Sequence, residues 1–217
     1  MKKVLLLPLM AIMLASVSCN KEKNMIKETN NPDQNAKSVL MSEEIDDYTF
    51  VDMLKYSDSF QRYLFQHMKP ETQARIWREK MDYLITNYYA NNSNVKAVLE
   101  SIKPYLTTEL YSGDVPGNFS DLENQWVTSL VSEIGYDDTR NMMSTMSGGI
   151  PYEVPTPNGP DYPAPDGIKC ECSTGSDWCF GHTYCKFKDK NCASSGSKGC
   201  GTFWGWSCDG RCAIGQQ

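Results

Sequence analysis

Histidine is nearly absent, with two in 217 residues, His67 and His182. No P-loop, G-x-S-x-G, H-E-x-x-H or EF-hand loop occurs. That removes the usual sequence routes to nucleotide, serine-hydrolase, zinc-protease and calcium chemistry. His67 lies on an amphipathic stretch with no companion acid or nucleophile and reads as a packed or surface residue. Neither an enzyme activity nor a cofactor is expected. No apolar run exceeds about a dozen residues, too short for a transmembrane helix. No strongly basic stripe exists and the net charge is −6, so nucleic acid is not an expected partner. Cysteine is missing from 20 to 169, so the middle of the chain must fold without disulfides. From Lys169 to Cys212 the scarcity reverses: there is no proline and almost no aliphatic residue.

That last stretch holds eight of the nine cysteines: Cys170, Cys172, Cys179, Cys185, Cys192, Cys200, Cys208 and Cys212. A segment this poor in Leu, Ile and Val cannot close its own core and needs staples. Zinc sites show paired C-x₂₋₄-C half-sites at set distances. The spacing here lacks that pattern, so a disulfide framework is expected and no metal. Eight cysteines allow 105 connectivities, and spacing alone does not choose among them.

Two stretches carry a family resemblance. They are Cys170-Glu171-Cys172-Ser173-Thr174-Gly175-Ser176-Asp177-Trp178-Cys179 and Gly199-Cys200-Gly201-Thr202-Phe203-Trp204. The pattern CxCSTxSD followed by an aromatic and Cys, with a later GCGTxW, resembles the bacteriocin fulvocin C-related family. All eight cysteines find a place in it, and the ending Cys208-Asp209-Gly210-Arg211-Cys212 is the longer departure. The likeness covers about the last fifth of the chain. It implies a disulfide-stapled antibacterial module behind an N-terminal region.

The N-terminus reads as an export signal. Lys2 and Lys3 precede an apolar stretch from Val4 to Ala15, and small residues lead to Cys19. This resembles a bacterial lipoprotein signal over 1–18, with Cys19 as the lipidated residue and the membrane as partner through that anchor. Ser16 stands where leucine is usual, and Ser16 and Ser18 also suit ordinary secretion. Removing Cys19 from nine leaves an even eight, which favours lipidation. Residues 19–39 are polar and read as a tether.

From residue 40 the pattern turns helical. Ser42 is placed to cap a helix with Glu43 and Glu44 in its first turn. These carboxylates, with Asp46 and Asp47, read as a solvated helix start rather than an acid/base pair. Phe60, Tyr63, Leu64 and Met68 mark a second segment. Pro70 suits a first helical position. Trp77, Met81, Leu84, Ile85 and Tyr88 then form one apolar stripe, with Arg75, Arg78, Glu79 and Lys80 mostly off it. A break at Asn91-Asn92-Ser93 leads to Val95, Val98, Leu99 and Ile102, stopped by Pro104. Ser120 and Glu123 have capping-box spacing ahead of Trp126, Leu130 and Ile134, and Gly135 suits the position after that helix. Residues 40–147 therefore predict a small all-α domain of five or six short helices.

Residues 148–167 form a Pro-rich linker, with six of the eleven prolines between 150 and 167. Such a segment serves as a semi-rigid spacer or a cleavage site. Gly148-Gly149 resembles the double glycine of some bacteriocin leaders, and two glycines at a helix end also have a conformational reading. Residues 168–217 form the cysteine-rich module, with six basic and four acidic side chains. Its net charge of +2 leaves −8 for the remainder. An acidic domain before a basic module invites a precursor reading, in which the first restrains the second. Phe203, Trp204 and Trp206 are the expected target-binding cluster, held in a loop between Cys200 and Cys208. At least half of the module's aromatics are expected to cover the disulfides instead.

The predicted fold class is thus a small all-α domain, a Pro-rich linker and a small, loop-dominated disulfide module. Two functions are expected. The first is an exported bacteriocin-like protein acting on the envelope or a surface receptor of competing bacteria, after cleavage in the linker. The second is a non-toxic cell-envelope lipoprotein using the module as a binding knob.

Overall fold

The computed structural model describes residues 45–113, 115–150, 172–179, 183–187 and 198–214, with backbone alone for Thr183, Phe187 and Ile214. The expected signal, tether and Ser42 cap lie outside these residues, as do Cys19, Cys170, Cys192, His182 and most of the linker.

Among the described residues, seven α-helices precede the cysteine-rich part. They are α1 (Phe50–Met53), α2 (Asp58–His67), α3 (Pro70–Asn87), α4 (Ser93–Ile102), α5 (Thr108–Ser112), α6 (Phe119–Ile134) and α7 (Tyr136–Ser144). Local signals explain several ends. Thr49 opens α1 with a reciprocal capping box, its hydroxyl accepting from the Asp52 amide while the Asp52 carboxylate accepts from the Thr49 amide. Pro70 is the first residue of α3, where its missing N–H is harmless. The Asn92 side chain accepts from the Val95 amide at 3.1 Å and opens α4. After Ile102 the chain tightens into a 3₁₀ turn, Lys103–Tyr105, around Pro104. Gly135, at φ 83°, joins α6 to α7.

The 18-residue helix α3 is the spine. It packs against α1, α4 and α5, while α4 lies on α6 and α6 on α7. Its stripe is largely as the period predicts: Trp77, Met81, Leu84 and Ile85 are buried. Lys80 corrects that reading, because it is fully buried rather than off the stripe. Its ammonium donates to the carbonyls of Met142 and Thr145, both at 2.5 Å, at the C-terminal end of α7. Those carbonyls have no partner within their own helix. The same nitrogen stands 4.7 Å from the Trp77 ring centroid. Burial pushes Lys80 well below the ordinary lysine value, with the Asp58 charge opposing it.

The capping box expected at Ser120 and Glu123 is also corrected. Helix α6 begins at Phe119 without a side-chain cap, so Ser120 already lies inside it and Glu123 points elsewhere. Gly148 has a packing reason of its own. A Cβ there would fall 1.8 Å from the Asn141 carbonyl oxygen, and Gly149 follows at φ 79°.

The C-terminal part contains short strands: β1 (Thr183–Phe187), β2 (Lys198–Cys200), β3 (Trp206–Ser207) and β4 (Gly210–Ile214). β1 pairs antiparallel with β4, with Cys185 opposite Cys212, and β2 pairs antiparallel with β3. Three disulfides are formed among the described residues: Cys172–Cys185, Cys179–Cys212 and Cys200–Cys208. The expected two-part division does not extend to the packing. Phe203 and Trp204 belong to the same hydrophobic core as the helices. β2 lies against α2, and the 202–204 turn against α7.

Replacing Lys80 by Met should destabilise the protein by roughly 1–3 kcal/mol, because two buried carbonyls lose their donor. The sign of its pH dependence follows from the lowered folded pKa. The stability Lys80 confers is present above its ordinary value of 10.5 and is lost as the pH falls through the lowered one. The gap between the native chain and Lys80→Met in urea midpoints should therefore widen as the pH rises.

Candidate functional site: an aromatic plug seated among the helices

The plug is a nine-residue loop closed by Cys200–Cys208. β2 enters it and β3 leaves it, so the tip is forced into a tight 3₁₀ turn over Thr202–Trp204. Phe203 and Trp204 both have left-handed backbone, at φ 53° and 55°. Such conformations are unfavourable for side-chain-bearing residues, by about 1–3 kcal/mol each, and persist only where the surroundings over-determine them. Gly201 precedes them at φ 67°, and a Cβ there would meet the Trp206 ring at 2.6 Å. Only glycine fits that approach.

The surroundings are aromatic. The Phe203 ring meets Trp77 edge-on at 5.4 Å and Trp126 at 6.2 Å. The Trp204 ring meets Phe65 at 5.1 Å and Trp77 at 5.8 Å, both edge-on. Edge-to-face packing suits the charge distribution of the rings. The Arg62 guanidinium lies over the Trp204 ring, 5.6 Å from its centroid. The polar atoms of the tip are satisfied by the helices: the Trp204 indole N–H donates to the Ser144 carbonyl at 2.7 Å, and the Tyr111 hydroxyl donates to the Phe203 carbonyl at 3.1 Å. Two such rings remove roughly 300–500 Å² from water, about 8–12 kcal/mol gross. That exceeds the backbone strain, so the tip stays seated.

A buried polar knot lies beside the rings. The Glu123 carboxylate, from α6, accepts from the Ser176 hydroxyl at 2.6 Å and the Thr202 hydroxyl at 2.5 Å. The Trp178 indole donates to the Thr202 hydroxyl oxygen at 2.7 Å. One carboxylate thus ties two separate cysteine-rich segments to a helix. Burial raises the Glu123 carboxyl above its ordinary 4.5, and the Ser176 and Thr202 hydroxyls pull it part of the way back. Within the module, Asp177 accepts from the amides of Cys179 and Cys185, and Asp209 from the amide and hydroxyl of Thr174. These bonds fix the loops beside the disulfides.

The expected target-binding cluster is therefore relocated. Phe203 and Trp204 are buried to within 1% of full occlusion, and Trp206 is half-buried, its ring 6.4 Å from that of Phe119 in a T-shaped pair. In this arrangement the first two rings face the helices and not an outside target. The constrained loop itself is present, closed by the bond between the cysteines that flank it. The sulfurs of Cys172, Cys179 and Cys212 lie within 4.8 Å of one another. They belong to two adjacent disulfides, and a sulfur already in such a bond offers no thiolate to a metal. Sequence reasoning missed Glu123, Tyr111 and Ser144 as partners of the module. The available signal was compositional: a module with no aliphatic core of its own, beside helices rich in Trp and Tyr.

The comparisons with known proteins add no neighbour: no family model, curated protein or solved structure matches the chain.

Replacing Trp204 by Ala should destabilise the helices themselves by about 3–5 kcal/mol, read as a lower urea midpoint of the helical circular dichroism signal. For Glu123 the sign follows from its raised pKa. Its stabilisation is fully present below pH 4.5 and is lost as the pH rises through the raised value. Glu123→Gln, which can still accept both hydroxyls, should be more stable than the native chain at pH 7, with the difference vanishing near pH 4. Glu123→Leu should be less stable at both pH values, by roughly 1–3 kcal/mol, because it strands two hydroxyls.

Proposed function

We propose that this is an exported bacteriocin-like precursor. Its disulfide-stapled C-terminal module acts against competing bacteria once separated from the helical region, which holds it latent; a cut in the linker is the covalent step that permits that separation. The observation that carries this reading is the burial of Phe203 and Trp204. The residues best suited to insert into an envelope or receptor are occupied by the protein's own helices. The fulvocin C-like motifs and the opposed charges of the two regions point the same way. The disulfides suit an exported protein, and no helix among the described residues is long and apolar enough to cross a membrane. Cys19 is the proposed lipid anchor, which would hold the helical region at the envelope through the polar tether. The role is one of binding, not catalysis.

A second reading is favoured by the continuous core. A protein whose two regions share their central aromatics also suits a non-toxic envelope lipoprotein, with the module as a rigid binding knob.

The test is a plate assay comparing the intact oxidised chain with the 168–217 fragment isolated from it by cleavage. The precursor reading expects the fragment to inhibit sensitive strains and the intact chain not to. A correctly oxidised fragment that inhibits no strain in a broad panel supports the binding-knob reading. Equal potency of both forms contradicts latency.

A further inference from the structure

The three disulfides among the described residues all lie within the module, and no cysteine occurs between 20 and 169. The helices hold no cysteine, so after a cut in the Pro-rich segment no disulfide among the described residues would join them to the module. What would remain is the packed contact. It has the anatomy of a tight protein–protein interface: two large aromatics at its centre, each in a fitted aromatic surround, with satisfied polar groups beside them. Phe203 sits between Trp77 and Trp126, and Trp204 between Phe65 and Trp77. Ser144, Tyr111 and Glu123 supply the matching acceptors and donor.

We propose that the helical region is a binding protein for its own module: cutting the linker does not release the module, and the two pieces stay together without a covalent bond. The ligand is a disulfide-closed loop presenting adjacent Phe and Trp side chains in left-handed backbone. That loop geometry is the specificity element, because Phe203 and Trp204 reach their aromatic surrounds from left-handed backbone, at φ 53° and 55°. A linear Phe-Trp peptide would first have to be ordered into a conformation it rarely visits. The contact is also reciprocal. A helical region left on the producing cell would retain its module and recapture one that had escaped, keeping those aromatics away from the producer's envelope. This biological setting rests on the precursor reading above, whereas the binding itself does not.

The experiment uses the full oxidised chain carrying a protease recognition sequence inserted between Pro157 and Asn158. After complete cleavage, size-exclusion chromatography under native, non-reducing conditions at micromolar concentration reads whether the halves co-elute. Co-elution of both pieces is expected. Trp204→Ala in the same cleaved chain should weaken the pairing by at least about 30-fold, the range of an interface hot spot. Should Trp204→Ala fail to fold, Ser176→Ala serves as the milder variant and should speed dissociation several-fold. Separation of the native halves into two peaks overturns the proposal, whatever the activity of the fragment. Co-elution that neither variant alters also overturns it, because the Trp204 ring and the Ser176 contact to Glu123 would then not be what holds them.

The killing assay separates this outcome from the precursor reading. Co-eluting halves that do not kill, with a denaturant-separated and reoxidised module that does, support both. Co-elution with a separated module that kills nothing leaves the binding established and the antibacterial reading rejected.

Discussion

The structure depends on the removal of two adjacent aromatic rings, Phe203 and Trp204, from water into a set of helices that begins more than a hundred residues earlier. Each partner's core is completed by the other. The module holds almost no aliphatic side chains, and its disulfides fix loops without filling space. The helices surround the tip with Phe65, Trp77, Tyr111 and Trp126, all buried once it is seated. Emptying that space would open a cavity at the centre of the fold, and interiors tolerate such voids poorly. The disulfide that closes the loop and the helices that enclose it therefore act on one element. The bond shapes the tip, and the helices hold it in a backbone conformation it would otherwise leave.

Two buried ionisable groups lie close to this contact. Lys80 donates only to carbonyls, and Glu123 accepts from hydroxyls. Neutral dipoles repay less of the desolvation than an opposite charge would, so each pKa moves toward the uncharged form. Their value lies in geometry. A carboxylate on α6 that must meet Ser176 and Thr202 together is satisfied in few arrangements of the module. An ammonium that must meet the end of α7 fixes the helix whose Ser144 carbonyl receives the Trp204 indole. Misdocked arrangements would strand buried polar atoms, at about 1–3 kcal/mol for each.

Much of the helical region is legible in the chain because its signals are local. Pro70 opens a helix, Asn92 caps one and Gly135 ends one, as their backbone preferences dictate. The period from Trp77 to Ile85 identifies a buried face. The concentration of cysteine identifies the stapled part, although spacing alone does not fix the pairing. The failures are all non-local. Lys80 reads as a solvent residue because periodicity cannot foresee carbonyls 62 residues away. Glu123 fits a capping box three residues after Ser120, and that local account hides a partner 53 residues ahead. Phe203 and Trp204 read as an exposed cluster because a small module cannot bury them alone. That premise is sound, but the burial is supplied by a surface on the other side of a Pro-rich segment.

The most direct measure of the shared core is hydrogen exchange at the Trp204 indole N–H, which donates to the Ser144 carbonyl. If the tip is part of the helical core, this proton exchanges only when the whole core opens. Its protection should then equal that of the slowest backbone amides of α3, in the oxidised full chain under native conditions. An indole proton exchanging as freely as that of an exposed tryptophan, while the α3 amides stay protected, would mean that the helices are closed without the plug.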